Sequence, residues 1–562
     1  MLKKILKFIL IIQILYQSPL YSKSISFEDL DSKKLSNYFS GIVAFQNNNN
    51  IEALKFFSLS KSLIDDHNPY IKRYVTSLVL ERKVTQAIKV INSNKSKIDQ
   101  NFFDANLLII LDSLKKNDFK SANIAINKAL QNEKEDRFNV AILELLKEFI
   151  FVFKEKKLTK DKKNFGDLSL IAETFQRCYL DDSRTENFFS NLVNKNDVDY
   201  SRYMYFYLSY LVSKNKIDKA QEITANKNYI NSTLLVSQGK NWIENKNFEK
   251  FKSVFSCQKH TDILSEFLFL ISNLYSSQDN FEKSNFYLYL SNFLNPKFIY
   301  NLTLVAENYY FNKDYNKAKK ILKNFSREDI FFHWYRIKKE AQIIGKQKNK
   351  QASLRFITTE FNKIKNPNDK MIFDIANFNK NSEEYQTAIK YYSNLINNFE
   401  NDSFKSDLLY RRGGSYERKG DYVNADKDLL ESLKIDPDDA YVLNYLAYSW
   451  LERDYKIEEA MSMLEKAYSL KSNDPYIIDS IGWAYYLIND YVKAEDFLKR
   501  AVELMPDDPI VNDHYGDILW NLNQKIQARY FWKNVLEMDD VQKDMIDKIN
   551  IKLLYGPKNS NS

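Results

Sequence analysis

Ten glycines, nine prolines, four histidines and two cysteines are all that 562 residues contain, and each shortage excludes something. So few glycines and prolines cannot supply the turns of a many-stranded sheet protein of this length, which points to an all-α chain. His67, His260, His333 and His514 stand singly. With no HExxH pair, no CxxC, no phosphate-binding glycine loop and no GxSxG elbow, the expectation is no metal, no cofactor and no enzyme. An enzymatic alternative would need a catalytic domain, and no stretch alternates strand and helix patterns over enough length to be one. A concentrated Arg/Lys motif is missing too, so nucleic acid is not an expected partner.

What the chain does have is a spacing. Ala318, Ala352, Ala388, Ala425, Ala460, Ala494 and Ala528 recur every 34 to 37 residues. Ala53, Ala87 and Ala122 carry the ladder upstream, and Ser284 stands 34 residues before Ala318. A second ladder of small residues, Gly413, Ala447, Gly482 and Gly516, runs 12 or 13 residues ahead of the last four alanines. Two ladders in one period mean two helices per repeat, with small residues where helices cross closely. The expected architecture is an α-solenoid of helix-turn-helix repeats. Its segments are N-terminal repeats over 23–130, degenerate helical repeats over 131–264 marked only by Ala220, divergent repeats over 265–405, well-formed repeats over 406–540, and a capping helix with a tail over 541–562.

The amino terminus reads as an export signal. Lys3, Lys4 and Lys7 precede an apolar run from Phe8 to Tyr16, and small residues follow at Ser18, Ser22 and Ser24. The run is about half of the roughly 20 residues a spanning helix needs. Residues 1–22 are therefore expected to be a signal peptide, with retention as an anchor as the alternative. No cysteine lies nearby for lipid attachment, and no later segment is apolar enough to span a bilayer. The mature chain is expected in the periplasm or on the extracellular side of a bacterial envelope. Oxidation there would permit Cys178 and Cys257 to pair. They lie a little over two repeats apart, however, and neighbouring repeats are the ones that touch, so two buried free thiols are expected.

Charge is unevenly spread. Residues 406–540 hold 27 acidic and 16 basic side chains, net −11, whereas residues 23–405 carry +14 of the chain's overall +8. The basic section suits an anionic envelope component, and the acidic section suits cationic segments of a partner.

Within residues 406–540 the pattern resembles the tetratricopeptide repeat. In a 34-residue unit starting at Ser406, Leu409, Gly413, Tyr416, Ala425, Leu429 and Pro437 fall at positions 4, 8, 11, 20, 24 and 32, the family's marker positions. The unit from Pro475 matches equally well through Ile478, Gly482, Tyr485, Ala494, Leu498, Ala501 and Pro506. A unit between them, with Leu443, Ala447, Trp450, Ala460, Leu464 and Ala467, fits once one residue is added in the turn near Asp454 and Lys456. The fourth keeps Gly516, Leu519 and Ala528, with Trp532 at the large position. The resemblance is partial over 31–125 and 265–405. Acidic pairs such as Asp438/Asp439 and Asp507/Asp508 read as helix caps, not calcium ligands.

This resemblance implies a right-handed superhelix whose concave face is lined by the first helix of each unit, at positions 2, 5, 9, 12 and 13. In this sequence those positions hold Tyr441, Asn444, Tyr448, Leu451 and Glu452, then Tyr476, Asp479, Trp483, Tyr486 and Leu487, then Ile510, Asp513, Asp517, Trp520 and Asn521. The lining is aromatic and acidic, and it suits an extended peptide with apolar and basic side chains. Trp483 and Trp520, one position off the buried stripe, are the leading contacts. The basic clamp for a partner's terminal carboxylate is absent, and so is an asparagine ladder, because position 6 reads Arg411, Tyr445, Ser480 and His514. The expected function is a non-enzymatic protein-interaction scaffold of the envelope. Polysaccharide or cell-wall handling through the same groove is the alternative.

Overall fold

The computed structural model describes residues 32–64, 68–94, 102–133, 136–194, 201–225, 233–399, 403–538 and 541–557. The expected signal peptide, residues 1–22, and His67 lie outside them. Among the described residues thirty α-helices follow one another and no strand occurs. None of these helices is long and apolar enough to cross a membrane. Consecutive helices pack on one another in pairs, as the two ladders require. The chain divides into two compact units, residues 1–336 and 337–562.

A scarcity of glycine leaves the turns to other residues. Within most pairs the first helix ends on a left-handed residue, usually Asn or Asp, and a second Asx or similar cap opens the next helix. Asn117 (φ 61°) is followed by Asp118, whose carboxylate accepts from the Ser121 N–H. Asn489 (φ 65°) is followed by Asp490, which caps Lys493 in the same way. Short polar side chains tolerate this conformation better than other L-residues and also satisfy orphan helix donors, so one dipeptide does both jobs. The left-handed residues Gly420, Asp454, Asn489 and Asn523 recur with the repeat. In the unit with the extra residue both Asp454 and Lys456 are left-handed, which accommodates the insertion.

The alanine ladder is buried. Ala53, Ala87, Ala122, Ala220, Ala318, Ala388, Ala425, Ala460, Ala494 and Ala528 have almost no exposed surface. Ala352 does not belong to it. The buried residue there is Ser353, whose hydroxyl donates to the Ala341 carbonyl at 2.7 Å, so the ladder shifts by one residue. The second ladder is as tight as its spacing implies. A Cβ on Gly482 would come within 2.8 Å of the Leu498 side chain, and one on Gly516 within 2.3 Å of Trp532. Caps stand where expected at Asp439 and Asp508, and Asp474 is a third: each accepts two backbone N–H groups, with Pro475 and Pro509 in the first turn.

Two expectations fail in the first unit. Cys178 and Cys257 are not free thiols but a disulfide, with Cα atoms 5.6 Å apart. The premise that only neighbouring repeats touch fails with it. Helix Phe281–Leu294 packs on helix Asn68–Leu80, and Lys283 pairs with Asp104 at 2.7 Å. His260 Nε2 lies 2.8 Å from the Leu114 carbonyl. This unit folds back on itself, so residues far apart in sequence become neighbours.

Candidate partner-binding groove

The candidate residues lie on three first helices of the second unit, Ala440–Leu451, Pro475–Leu487 and Pro509–Asn521, with a fourth helix, Lys543–Tyr555, after them. Each buries one stripe against its neighbours, for example Ile478, Ile481, Ala484 and Tyr485 on the second. What remains points along a common face. There the helices touch one another through residues one period apart.

At the centre is a stack. The Trp483 ring lies 4.0 Å from the His514 ring and 4.6 Å from the Tyr486 ring, nearly parallel to both. Its indole N–H donates to Glu452 Oε1 at 3.0 Å. Asp479 is buried and holds His514 Nδ1 at 3.0 Å from both carboxylate oxygens. Burial pushes the His514 pKa down, but Asp479, backed by Asp513 and Asp517, more than reverses this and leaves it raised. Burial also raises the Tyr448 and Tyr486 hydroxyls, reinforced by Glu452 for the first and Asp517 for the second. Asn521 Nδ2 donates to the Tyr486 hydroxyl at 3.0 Å.

Farther along, the acidic pair of the third helix is matched from the fourth. Lys552 Nζ lies 2.6 Å from Asp513 and 2.8 Å from Asp517. Burial pushes Asp517 up to about 6 against the pull of Lys552, while the two carboxylates hold the lysine's pKa up in spite of its own burial. The Oδ1 atom of Asp517 and the Oδ1 of Asn444 are buried without a hydrogen-bond partner. Trp520 is half-buried and closes the end of the face. It packs 5.5 Å from Trp532, under Arg529, and against Gly556, whose backbone (φ 82°) leaves no room for a side chain.

Sequence reasoning assigned these residues to the first helices but missed which groups answer the carboxylates. Both answers stand one period downstream: His514 is 35 residues after Asp479, and Lys552 is 35 after Asp517. In the sequence His514 stands out only as a departure from an asparagine ladder, and Lys552 only as part of a capping helix. Glu452 is exposed, and three large candidate side chains remain open with it. Tyr441, Tyr476 and Ile510, all at repeat position 2, are between 45% and 57% exposed. The Tyr441 hydroxyl donates to Asp474 at 3.0 Å, which fixes that ring without covering it. Among the described residues no cluster of His, Cys, Asp or Glu is arranged to hold a metal.

Comparison with known proteins agrees with the repeat pattern. Residues 406–439 match the family model of the tetratricopeptide repeat. A TPR repeat-containing protein of Pseudomonas aeruginosa is 35% identical over 91 residues, covering 16% of this chain and 15% of that protein. The chain thus spans about 15% of the length of this relative. A solved tetratricopeptide repeat protein from Parabacteroides merdae aligns over 45% of this chain and 98% of its own, at 17% identity and a TM-score of 0.37. A thermophilic TPR protein of Thermus thermophilus covers 33% of this chain and 100% of its own, at 18% identity and a TM-score of 0.30.

Proposed function

Starting from a chain that carries tetratricopeptide repeats, we propose that it is an envelope scaffold that holds an extended segment of a partner protein along the first helices of residues 440–521. Tetratricopeptide repeats are protein-interaction modules, and the finer reading rests on one observation. Tyr441, Tyr476 and Ile510 form a row of exposed large side chains at the same position of three successive units. A row of large side chains left open at one position of successive first helices offers apolar contact at regular intervals, and an extended chain has the matching periodicity.

The carboxylates Asp479, Asp513 and Asp517 already have cations within the protein. Recognition therefore rests on apolar contact along this row, with Glu452 and Trp483 setting register, and affinity falls only slightly with salt. An envelope location is supported by the lysine-led apolar amino terminus and by the disulfide, which an oxidising compartment preserves. The net +14 of residues 23–405 supports a second contact with an anionic envelope surface.

The test is affinity capture from envelope extracts with the full mature chain and with a Tyr441→Ala/Tyr476→Ala/Ile510→Ala variant. One partner protein, retained by the first at least tenfold better than by the second and eluted poorly by salt, is the expected result. Equal capture by both chains would sink the reading.

A further inference from the structure

The contacts between successive first helices follow one register. The earlier helix offers positions 5, 9, 12 and 13, and the later one answers from positions 6, 9, 10 and 13. Asp479 (position 5) meets His514 (6), and Glu452 (13) meets Trp483 (9). Tyr486 (12) meets Asn521 (13). The final helix, Lys543–Tyr555, keeps this register, because it starts 34 residues after Pro509 and its Lys552, at position 10, answers Asp513 and Asp517. It is a fifth first helix rather than a polar lid.

Its own offering positions are then Asp547, Ile551, Leu554 and Tyr555 at 5, 9, 12 and 13; Asp547 is exposed, and the other three are 50%, 69% and 79% exposed. A terminal helix that only caps an array presents a polar outer face. This one presents an apolar stripe that no described residue covers.

The opposite end carries the answering half. In helix Ser32–Gln46 the register is set by Ala53 at position 20, which makes Gly41 position 8. Gly41 behaves as that position should: a Cβ there would come within 2.6 Å of the Phe57 side chain at position 24, as Gly482 would with Leu498. Positions 6 and 10 are then Phe39 and Val43, at 59% and 56% exposure. Each end thus shows bare apolar side chains at several of the positions through which neighbouring first helices meet between Ala440 and Tyr555, with the half-buried Ile42 and the polar Gln46 and Asp547 at the others.

We propose that copies of this chain associate head to tail, the helix Ser32–Gln46 of one copy seating on the helix Lys543–Tyr555 of the next. The contact continues the interface that already joins successive units, with Phe39 and Val43 against Ile551, Leu554 and Tyr555. Such a contact is heterologous, and it extends into chains of copies unless geometry closes it.

Sedimentation velocity on the full mature chain tests this, with two variants altered only at exposed positions and checked for helix content by circular dichroism. Phe39→Glu/Val43→Glu blocks one end and Leu554→Glu/Tyr555→Glu the other. The wild-type mass is expected to grow with concentration beyond a dimer, each variant alone to stay monomeric, and an equimolar mixture of the two to form a 1:1 dimer through the one intact pair of ends. A Val43→Cys, Leu554→Cys chain, its native cysteines being paired, should form an intermolecular disulfide between those positions. A wild-type chain monomeric at every concentration would overturn the proposal. So would a Phe39→Glu/Val43→Glu variant that still self-associates, which would indicate two-fold pairing of the last helix with itself.

Discussion

The two units solve the same problem, burying helices that cannot stand alone, by different means. Between Ser403 and Glu537 each helix pair meets the next through the same few positions. A small residue sits at each crossing, an aspartate at most of the caps, and a row of paired groups joins the first helices. In residues 1–336 the ties are singular: a disulfide from Cys178 to Cys257, an ion pair from Lys283 to Asp104, and Arg202 bound to Glu266 and Asn301 across 64 and 99 residues. Its centre is a cluster of rings, Tyr205, Phe206, Phe255, Phe298 and Tyr300, with no small-residue ladder among them. Repetition makes damage local and graded, because each unit leans only on its neighbours; singular ties make damage reach between distant segments.

Lys552→Met should have the largest effect. It leaves the buried Asp517 and the half-buried Asp513 without their cation, a loss of about 3–5 kcal/mol by comparison with other broken buried pairs. Hydrogen exchange should rise in helices Lys543–Tyr555 and Pro509–Asn521 and fade toward Ser403–Arg418. A uniform rise across both units would erase the contrast drawn above.

Removing the disulfide with Cys178→Ser/Cys257→Ser should cost about 2–5 kcal/mol. Here the exchange pattern should be split, with helices Asp167–Leu180 and His260–Ser276 loosening together although some eighty residues separate them, and with 403–537 unchanged. Smaller again is Gly482→Leu, which forces a side chain into Leu498 and Phe497 for about 1–3 kcal/mol, read as a lowered melting temperature.

The pH response of the repeat run is the smallest. His514 has a raised pKa in the folded protein, so the stability it adds is complete below its ordinary 6.5 and is lost as pH rises through the raised value. Asp517 acts in the same direction. Its carboxyl is raised from 3.8 to about 6, so the folded state loses stability as pH climbs between those values. Unfolding followed by Trp483 emission should therefore show stability declining from acid toward neutral pH, and His514→Gln should remove the upper part of that decline. A slope that survives His514→Gln unchanged above pH 6.5 would refute the assignment.

How far the sequence could be read follows the same division. Where a position recurs, one requirement is stated many times, and Gly413, Gly482 and Gly516 or the caps Asp439 and Asp508 could be assigned before any coordinates. Ala352 misled because an isolated small residue stood beside the true one, Ser353. Residues 131–264 were silent because their helices differ in length, from Arg137–Glu155 down to Glu249–Val254, and no period survives such variation. The disulfide was missed because its premise, that only neighbours touch, holds for the repeat run and fails in the first unit. On the first helices the repeat positions were legible and the pairings between them were not. A pairing needs two periods to be read together, and the last period, with Lys552, carries too few markers to announce itself.

The central claim is that the face of the first helices receives a partner protein. Photoreactive side chains at positions 476 and 510, with position 423 on an exposed second-helix site as the control, can be crosslinked in living cells and the adducts identified by mass spectrometry. The account predicts one and the same partner at 476 and 510 and none at 423. Adducts only within the chain itself, or equal capture at all three positions, would contradict it.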